Sequence, residues 1–165
     1  MIDAQICDLA ERVLAACRAR KWMVATAESC TGGLVAGALT EIAGSSDVVD
    51  RGFVTYSNAA KTELLGVPQA TLAAHGAVSR ETAQAMATGA LARAPVHLTV
   101  AITGIAGPGG GSAGKPVGLV HFAAAAKDGG LLHREKRYGE IGRAQVRHAS
   151  VIEALNLLLE LAAAG

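Results

Sequence analysis

Aromatic side chains are nearly missing from this chain: two Phe, two Tyr and one Trp amount to 3% of its residues. A core built without large rings has to come from backbones that approach each other closely. Charge is sparse as well, at 18% of residues with a formal net charge of +1. That balance leaves no electrostatic footprint for nucleic acid or for an anionic membrane surface. Cysteine is scarce and odd in number, with Cys7, Cys17 and Cys30 and no C-x-x-C spacing. Such usage argues against a disulfide framework and for a reducing compartment. No basic stretch precedes an apolar run at the amino end, so no signal peptide is expected. Every apolar run breaks before the ~20 residues that a bilayer span takes. The expectation is a cytoplasmic protein.

What is present is small and apolar. Hydrophobic residues make 51% of 165, much of it Ala, and there are 20 Gly. The composition is that of a globular chain, and the length suits one domain over residues 1–165. Low charge and many small residues also suggest a homodimer or larger homo-oligomer.

Ile6, Leu9, Ala10, Val13, Leu14 and Cys17 recur at helical spacing, which predicts an amphipathic first helix. A buried strand is expected over Trp22 to Ala27, then a helix from Leu34 to Ala43 ended by Gly44. Val48 to Tyr56 reads as a strand. Ser57 is an N-cap for a helix from Asn58 to Leu65, and Gln69 to Ala74 and Ser79 to about Ala94 are further helices. His97 to Thr103 and Val117 to Ala126 read as buried strands. Asp128-Gly129 signals a hairpin into Leu131 to Tyr138, whose charge suits a sheet edge. A closing helix follows from Glu140 to Ala163. Alternating helices and strands with one late hairpin predict an α/β fold, a three-layer α/β/α sandwich with a mixed, mostly parallel sheet.

In open α/β sheets ligands bind beyond the carboxyl ends of strands. Two polar, glycine-bearing loops fall there: Glu28 to Gly33, opening a helix, and Thr103 to Gly114. A helix N-terminus offers free N–H groups and partial positive charge, so the first loop reads as an anion pocket. A capping turn is the competing reading. The glycine-dense loop lacks the P-loop Lys-Ser ending and leads into a strand, which argues against a P-loop or a Rossmann dehydrogenase.

The hydroxyl groups of Ser46, Ser57 and Ser29 are three candidates for a nucleophile. Serine needs a base to take its proton, and Lys61 is one if burial lowers its pKa. Tyr56 is placed to relay a proton or orient the serine. Ser57 and Lys61 are i,i+4, although Ser57 has a capping role to fill. Ser46 and Tyr56 lie at opposite ends of one strand, so a site using both requires a bend or a subunit interface. Cys30, at the same turn as Ser29, is either a thiolate or a small buried residue. Five histidines without H-E-x-x-H or i,i+4 spacing do not suggest zinc. Arg143 and Arg147 are paired at the start of the last helix.

Several ordered motifs match a known family: Thr26-Ala27-Glu28-Ser29-Cys30-Thr31-Gly32-Gly33, Gly52-Phe53-Val54-Thr55-Tyr56-Ser57-Asn58 with Lys61, His75-Gly76-Ala77-Val78-Ser79, and Thr103-Gly104-Ile105-Ala106-Gly107-Pro108-Gly109-Gly110. From Ala4 to Leu161 the chain resembles the CinA C-terminal-domain family, in its stand-alone form, whose members include nicotinamide-nucleotide amidohydrolases. The resemblance implies deamidation of nicotinamide mononucleotide to nicotinic acid mononucleotide and ammonia, in pyridine nucleotide recycling, with no cofactor. It implies Ser46, Tyr56 and Lys61 as the catalytic group. By the same resemblance, Ser29, Thr31, Gly32, Gly33, Thr103, Gly104, Gly107, Pro108 and Arg143 hold the nucleotide. Some members keep the fold without the activity, so a nucleotide-binding module acting through partners stands as the second reading.

Overall fold

In the computed structural model of the chain, which describes residues 2–164, the alternation becomes six helices and five strands. Helix α1 spans Ala4–Arg20. Asp3 caps it by accepting the Ile6 amide, and it ends where Lys21 turns left-handed. All six of its predicted apolar positions are buried. Strand β1 (Val24–Glu28) leads to α2 (Leu34–Thr40), and a 3-10 turn (Ser45–Asp47) leads into β2 (Val49–Val54). Then come α3 (Asn58–Leu65), α4 (Gln69–His75), α5 (Arg80–Arg93) and β3 (Leu98–Gly104). The chain closes with β4 (Leu119–Ala126), β5 (Leu131–Arg137) and α6 (Arg143–Ala163). Helix α2 stops at Thr40 rather than Ala43 because the chain uses Gly44, at φ 81°, to enter the 3-10 turn.

The five strands form one sheet in the order β2-β1-β3-β4-β5. β1 is parallel to both β2 and β3, while β4 runs antiparallel between β3 and β5. Four strands therefore point one way and only β4 opposes them, as a right-handed βαβ core extended by a hairpin requires. β5 is an edge, as its charge predicted. That charge also has partners: Arg134 donates at 2.9 Å to both Glu153 and Glu160 of α6.

Strand alternation divides the core. Leu98, Val100 and Ile102 of β3 face α1 and α6, with Val120, Phe122 and Ala124 of β4 beside them. The opposite face is almost all alanine. Ala27, Ala101, Ala123 and Ala125 meet Ala83, Ala87 and Ala90 of α5. This layer is what the shortage of aromatics produces, since methyl groups let α5 lie close against the sheet. Gly89 carries the same economy outward, because a β-carbon there would strike the Leu65 carbonyl at the end of α3.

The carboxyl ends of β1, β2 and β3 share one rim of the sheet. The turn after β1, the link from β2 to α3 and the glycine loop after β3 are therefore neighbours in space.

Two helical glycines should respond in opposite directions. Gly37→Ala in α2 meets open space and should raise stability by about 0.5–1 kcal/mol through helix propensity. Gly89→Ala should lose ~1–3 kcal/mol to overpacking despite the same propensity gain. Urea unfolding midpoints of the two variants check this, and shifts of equal sign would refute the close α3–α5 contact.

Candidate active site

Lys61 lies one turn into α3, whose first turn is fixed by Ser57 accepting the Ala60 amide at 3.0 Å. The helix buries the lysine almost completely, at 1% exposure. Its Nζ donates to Ser29 Oγ at 3.0 Å, to the Thr55 carbonyl at 2.9 Å and to the Tyr56 carbonyl at 3.3 Å. Three donors thus meet three acceptors, which is what a buried amine needs. Burial pulls its pKa below the ordinary lysine value, against a smaller opposing pull from Cys30. A lysine so placed gives up its proton more readily than one in water.

Ser29 is presented by the turn that follows β1. Its amide is bonded to the Ile102 carbonyl of β3 at 2.9 Å, which ties the turn to the sheet. The turn is held from beneath by Glu28, which is fully buried. One carboxylate oxygen accepts the amides of Gly33 (3.2 Å) and Val35 (2.9 Å), and the other accepts the Ala36 amide (3.0 Å) and the Thr26 hydroxyl (3.0 Å). Strand β1 therefore ends in the cap of helix α2. The expected anion pocket at this helix N-terminus does not exist, because the protein's own carboxylate fills it.

The cavity over Ser29 and Lys61 has a volume of about 270 Å³. The glycine loop, with Thr103, Gly104, Gly107, Gly109 and Gly110, makes one wall, and Tyr56 and Asn58 make another. Ala77 and Val78, on the turn before α5, close a third side, where Thr103 donates its hydroxyl to the Ala77 carbonyl at 2.8 Å. Gly104 admits no larger residue, since a β-carbon would meet Val120 and the Leu119 carbonyl within 3 Å. Arg143, the first residue of α6, stands at the mouth. It donates to the Gly107 carbonyl and to the Tyr56 phenol oxygen, each at 2.8 Å.

Of the residues singled out in the sequence, the pocket gathers Ser29, Tyr56, Lys61, Thr103, Gly104, Gly107 and Arg143. It does not gather Ser46. That serine is exposed on the 3-10 turn before β2. Tyr56 follows the other end of the strand, and the six extended residues between them span about 20 Å. Ser57 is the N-cap of α3. Thr31, Gly32 and Gly33 pass behind Ser29 into α2 and do not line the cavity, and the Thr31 hydroxyl is buried without a partner. Pro108, after a cis bond from Gly107, lines a neighbouring hollow of about 120 Å³ instead. The sequence reading passed over Glu28 as a structural residue. An acid at the last position of an apolar strand, six residues before the first residue of α2, was the available signal.

Cys30 shares the turn with Ser29 but packs into the core below it. Burial pushes its thiol up to about 11, and does the same for Cys17. Among the described residues no group of three or more His, Cys, Asp or Glu converges enough to hold a metal ion. Nor is any described helix long and apolar enough to cross a membrane.

Iodoacetamide at neutral pH should label native protein at Cys7 alone, the one cysteine that is not buried, and all three in denaturant. Peptide mass spectrometry reads this, and rapid native labelling of Cys30 would contradict its burial. Glu28→Ala strands three amides and a hydroxyl, and should cost roughly 2–4 kcal/mol in a urea or thermal unfolding measurement.

A model of the CinA C-terminal domain matches residues 6–162. A nicotinamide-nucleotide amidohydrolase PncC of Enterobacter agglomerans is 48% identical over 160 residues, covering 97% of this chain and 98% of that protein. The protein of the same name from Escherichia coli K12 is 50% identical over 159 residues, covering 96% and 95%. A CinA-like protein of Synechococcus sp. RCC307 is 54% identical over 151 residues, but those make only 36% of its length. In three dimensions the chain superposes on the crystal structure of the competence/damage inducible protein CihA from Agrobacterium tumefaciens. The TM-score is 0.96 at 59% identity, covering 98% of each chain. By the match of the family model, by full-length sequence identity and by superposition, this chain belongs to the CinA C-terminal domain family.

Proposed function

We propose that the protein is an amidohydrolase that deamidates nicotinamide mononucleotide, with Ser29 as nucleophile and Lys61 as its base. The observation that carries this reading is the 3.0 Å contact between Lys61 Nζ and Ser29 Oγ in a site where burial favours the neutral amine. Full-length similarity to proteins named nicotinamide-nucleotide amidohydrolase supplies the substrate class. Ser29 takes the role that the sequence reading gave to Ser46.

When Lys61 loses its proton, the hydrogen bond reverses and the serine hydroxyl donates to Nζ. Attack of Oγ on the carboxamide carbon then passes the hydroxyl proton to Lys61 and puts negative charge on the amide oxygen. Collapse of this adduct expels ammonia, which takes its proton from Lys61. The nicotinoyl group stays as an ester on Ser29, and water activated by the same amine cleaves it to the acid. The oxyanion needs N–H donors. The Ser29 and Ile105 amides are already bonded to the Ile102 and Leu119 carbonyls. The amides of Gly107, Gly109 and Gly110 have no acceptor among the described residues, so the donors fall to the glycine loop. Tyr56 gives Lys61 its carbonyl and holds Arg143 with its phenol. That leaves Arg143 to meet the anionic end of the nucleotide.

Ser29→Ala and Lys61→Met should each lower ammonia release from nicotinamide mononucleotide by about 10³-fold or more, whereas Ser46→Ala should remain active. In the parent protein kcat/KM should rise with pH, since the proton on Lys61 must leave first, with a midpoint below the ordinary lysine value. An inactive Ser46→Ala beside an active Ser29→Ala would sink the assignment.

A further inference from the structure

Strand register places His121, His133 and Glu135 together on the α5 face of the β4–β5 hairpin. Between His121, Glu135 and the first turn of α5 lies a groove of about 470 Å³, lined also by His75, Arg80, Lys115 and Arg137; His133 reaches it only through its contact with His121. It is separate from the catalytic cavity: only Val78, on the turn between α4 and α5, lines both.

The His121 side chain is 9% exposed. Its Nδ1 is 2.9 Å from His133 Nε2. Its Nε2 has only Glu135 nearby, at 3.6 Å, beyond hydrogen-bond reach. In the tautomer with the proton on Nε2, Nδ1 accepts from His133 and Nε2–H is a donor with no acceptor in reach among the described residues. Burial, with His133 and Lys115, holds this imidazole below the ordinary histidine pKa, while Glu135 and Glu81 pull the other way.

The two carboxylates that face the groove each have a neighbouring basic side chain. Glu81 is 3.5 Å from His75 Nδ1, and Glu135 is 3.2 Å from Arg137 Nε. Lys115 donates to the His75 carbonyl. Arg80 makes no hydrogen bond or ion pair among the described residues, and the amides of Arg80 and Glu81, at the start of this 14-residue helix, find no acceptor there. A buried ring N–H, a helix N-terminus and an unpaired guanidinium therefore converge on one space, with two more cations at its border.

We propose that this groove is a second ligand site, for a phosphoryl dianion, either inorganic phosphate or the phosphate of a small nucleotide. The His75–Ser79 segment walls both cavities, so an anion held here bears directly on a wall of the cavity that holds Lys61.

The test is titration of the protein with inorganic phosphate and, separately, with adenosine monophosphate. Binding is read by calorimetry and by the ring signals of ¹⁵N-labelled histidines, neither of which depends on turnover of a carboxamide. Phosphate should move the His121 and His133 signals equally in the parent protein and in Arg143→Ala, which disables the mouth of the catalytic cavity. Arg80→Gln, on the surface, should weaken binding about tenfold or more, and His121→Phe should do so as well. Tighter binding of adenosine monophosphate than of phosphate identifies a nucleotide-borne group, and equal or weaker binding identifies the free ion. The proposal is overturned if neither probe moves those signals, if binding vanishes in Arg143→Ala, or if Arg80→Gln and His121→Phe bind as the parent does.

Discussion

The chemistry proposed for this molecule depends on one buried amine. Removing a lysine head group from water is costly unless its donors are met, and Lys61 meets them with one hydroxyl and two carbonyls from segments that the fold must bring together. Ser29 comes from the end of β1, and the Thr55 and Tyr56 carbonyls from the end of β2. The lysine itself is delivered by α3, whose far end seats Leu65 against Gly89 of α5. The parallel β2–β1–β3 core puts those strand ends on one rim. The small residues of α5 then let α3 come near enough for the amine to reach them. A composition poor in rings and rich in alanine and glycine is thus a requirement of the site as well as a property of the core.

Glu28 completes the arrangement. A strand-to-helix turn leaves helix amides unpaired, and in many α/β proteins a ligand's phosphate takes them. Here the strand's last side chain takes them, so the turn is rigid before any ligand arrives. In the proposed function the place for an anion is instead Arg143 at the mouth and the unbonded amides of the glycine loop. Arg143 also binds α6 to the glycine loop and to the end of β2, so the guanidinium is held in position by the walls it guards.

Much of this was legible in the sequence. The helices and strands followed from spacing, caps and glycines, and the charged β5 fell at the sheet edge where charge is tolerated. The glycine loop, Tyr56, Lys61 and Arg143 were found as pocket residues. Ser46 was not resolvable from sequence in the same way. Spacing set Ser46 and Tyr56 at opposite ends of one strand but did not show whether the chain bends between them; β2 runs through as one strand and leaves Ser46 on the rim away from Lys61. The role of Glu28 was hidden for a related reason. Local patterning shows that a helix starts after Gly33, but not that a carboxylate folds back to fill its amides.

Ser29 and Cys30 make the point most sharply. The two are adjacent, nearly equally buried at 8% and 5%, and both touch the same cavity. On intrinsic chemistry the thiol is the better nucleophile. The turn reverses that order by direction alone. It sends the hydroxyl to Lys61, whose Nζ donates to Ser29 Oγ at 3.0 Å. The Cys30 side chain joins the apolar core cluster, where burial lifts its pKa to about 11. In the proposed mechanism the nucleophile is therefore selected by the path of the backbone through one turn, and that path is fixed by the Ser29–Ile102 bond above and Glu28 below.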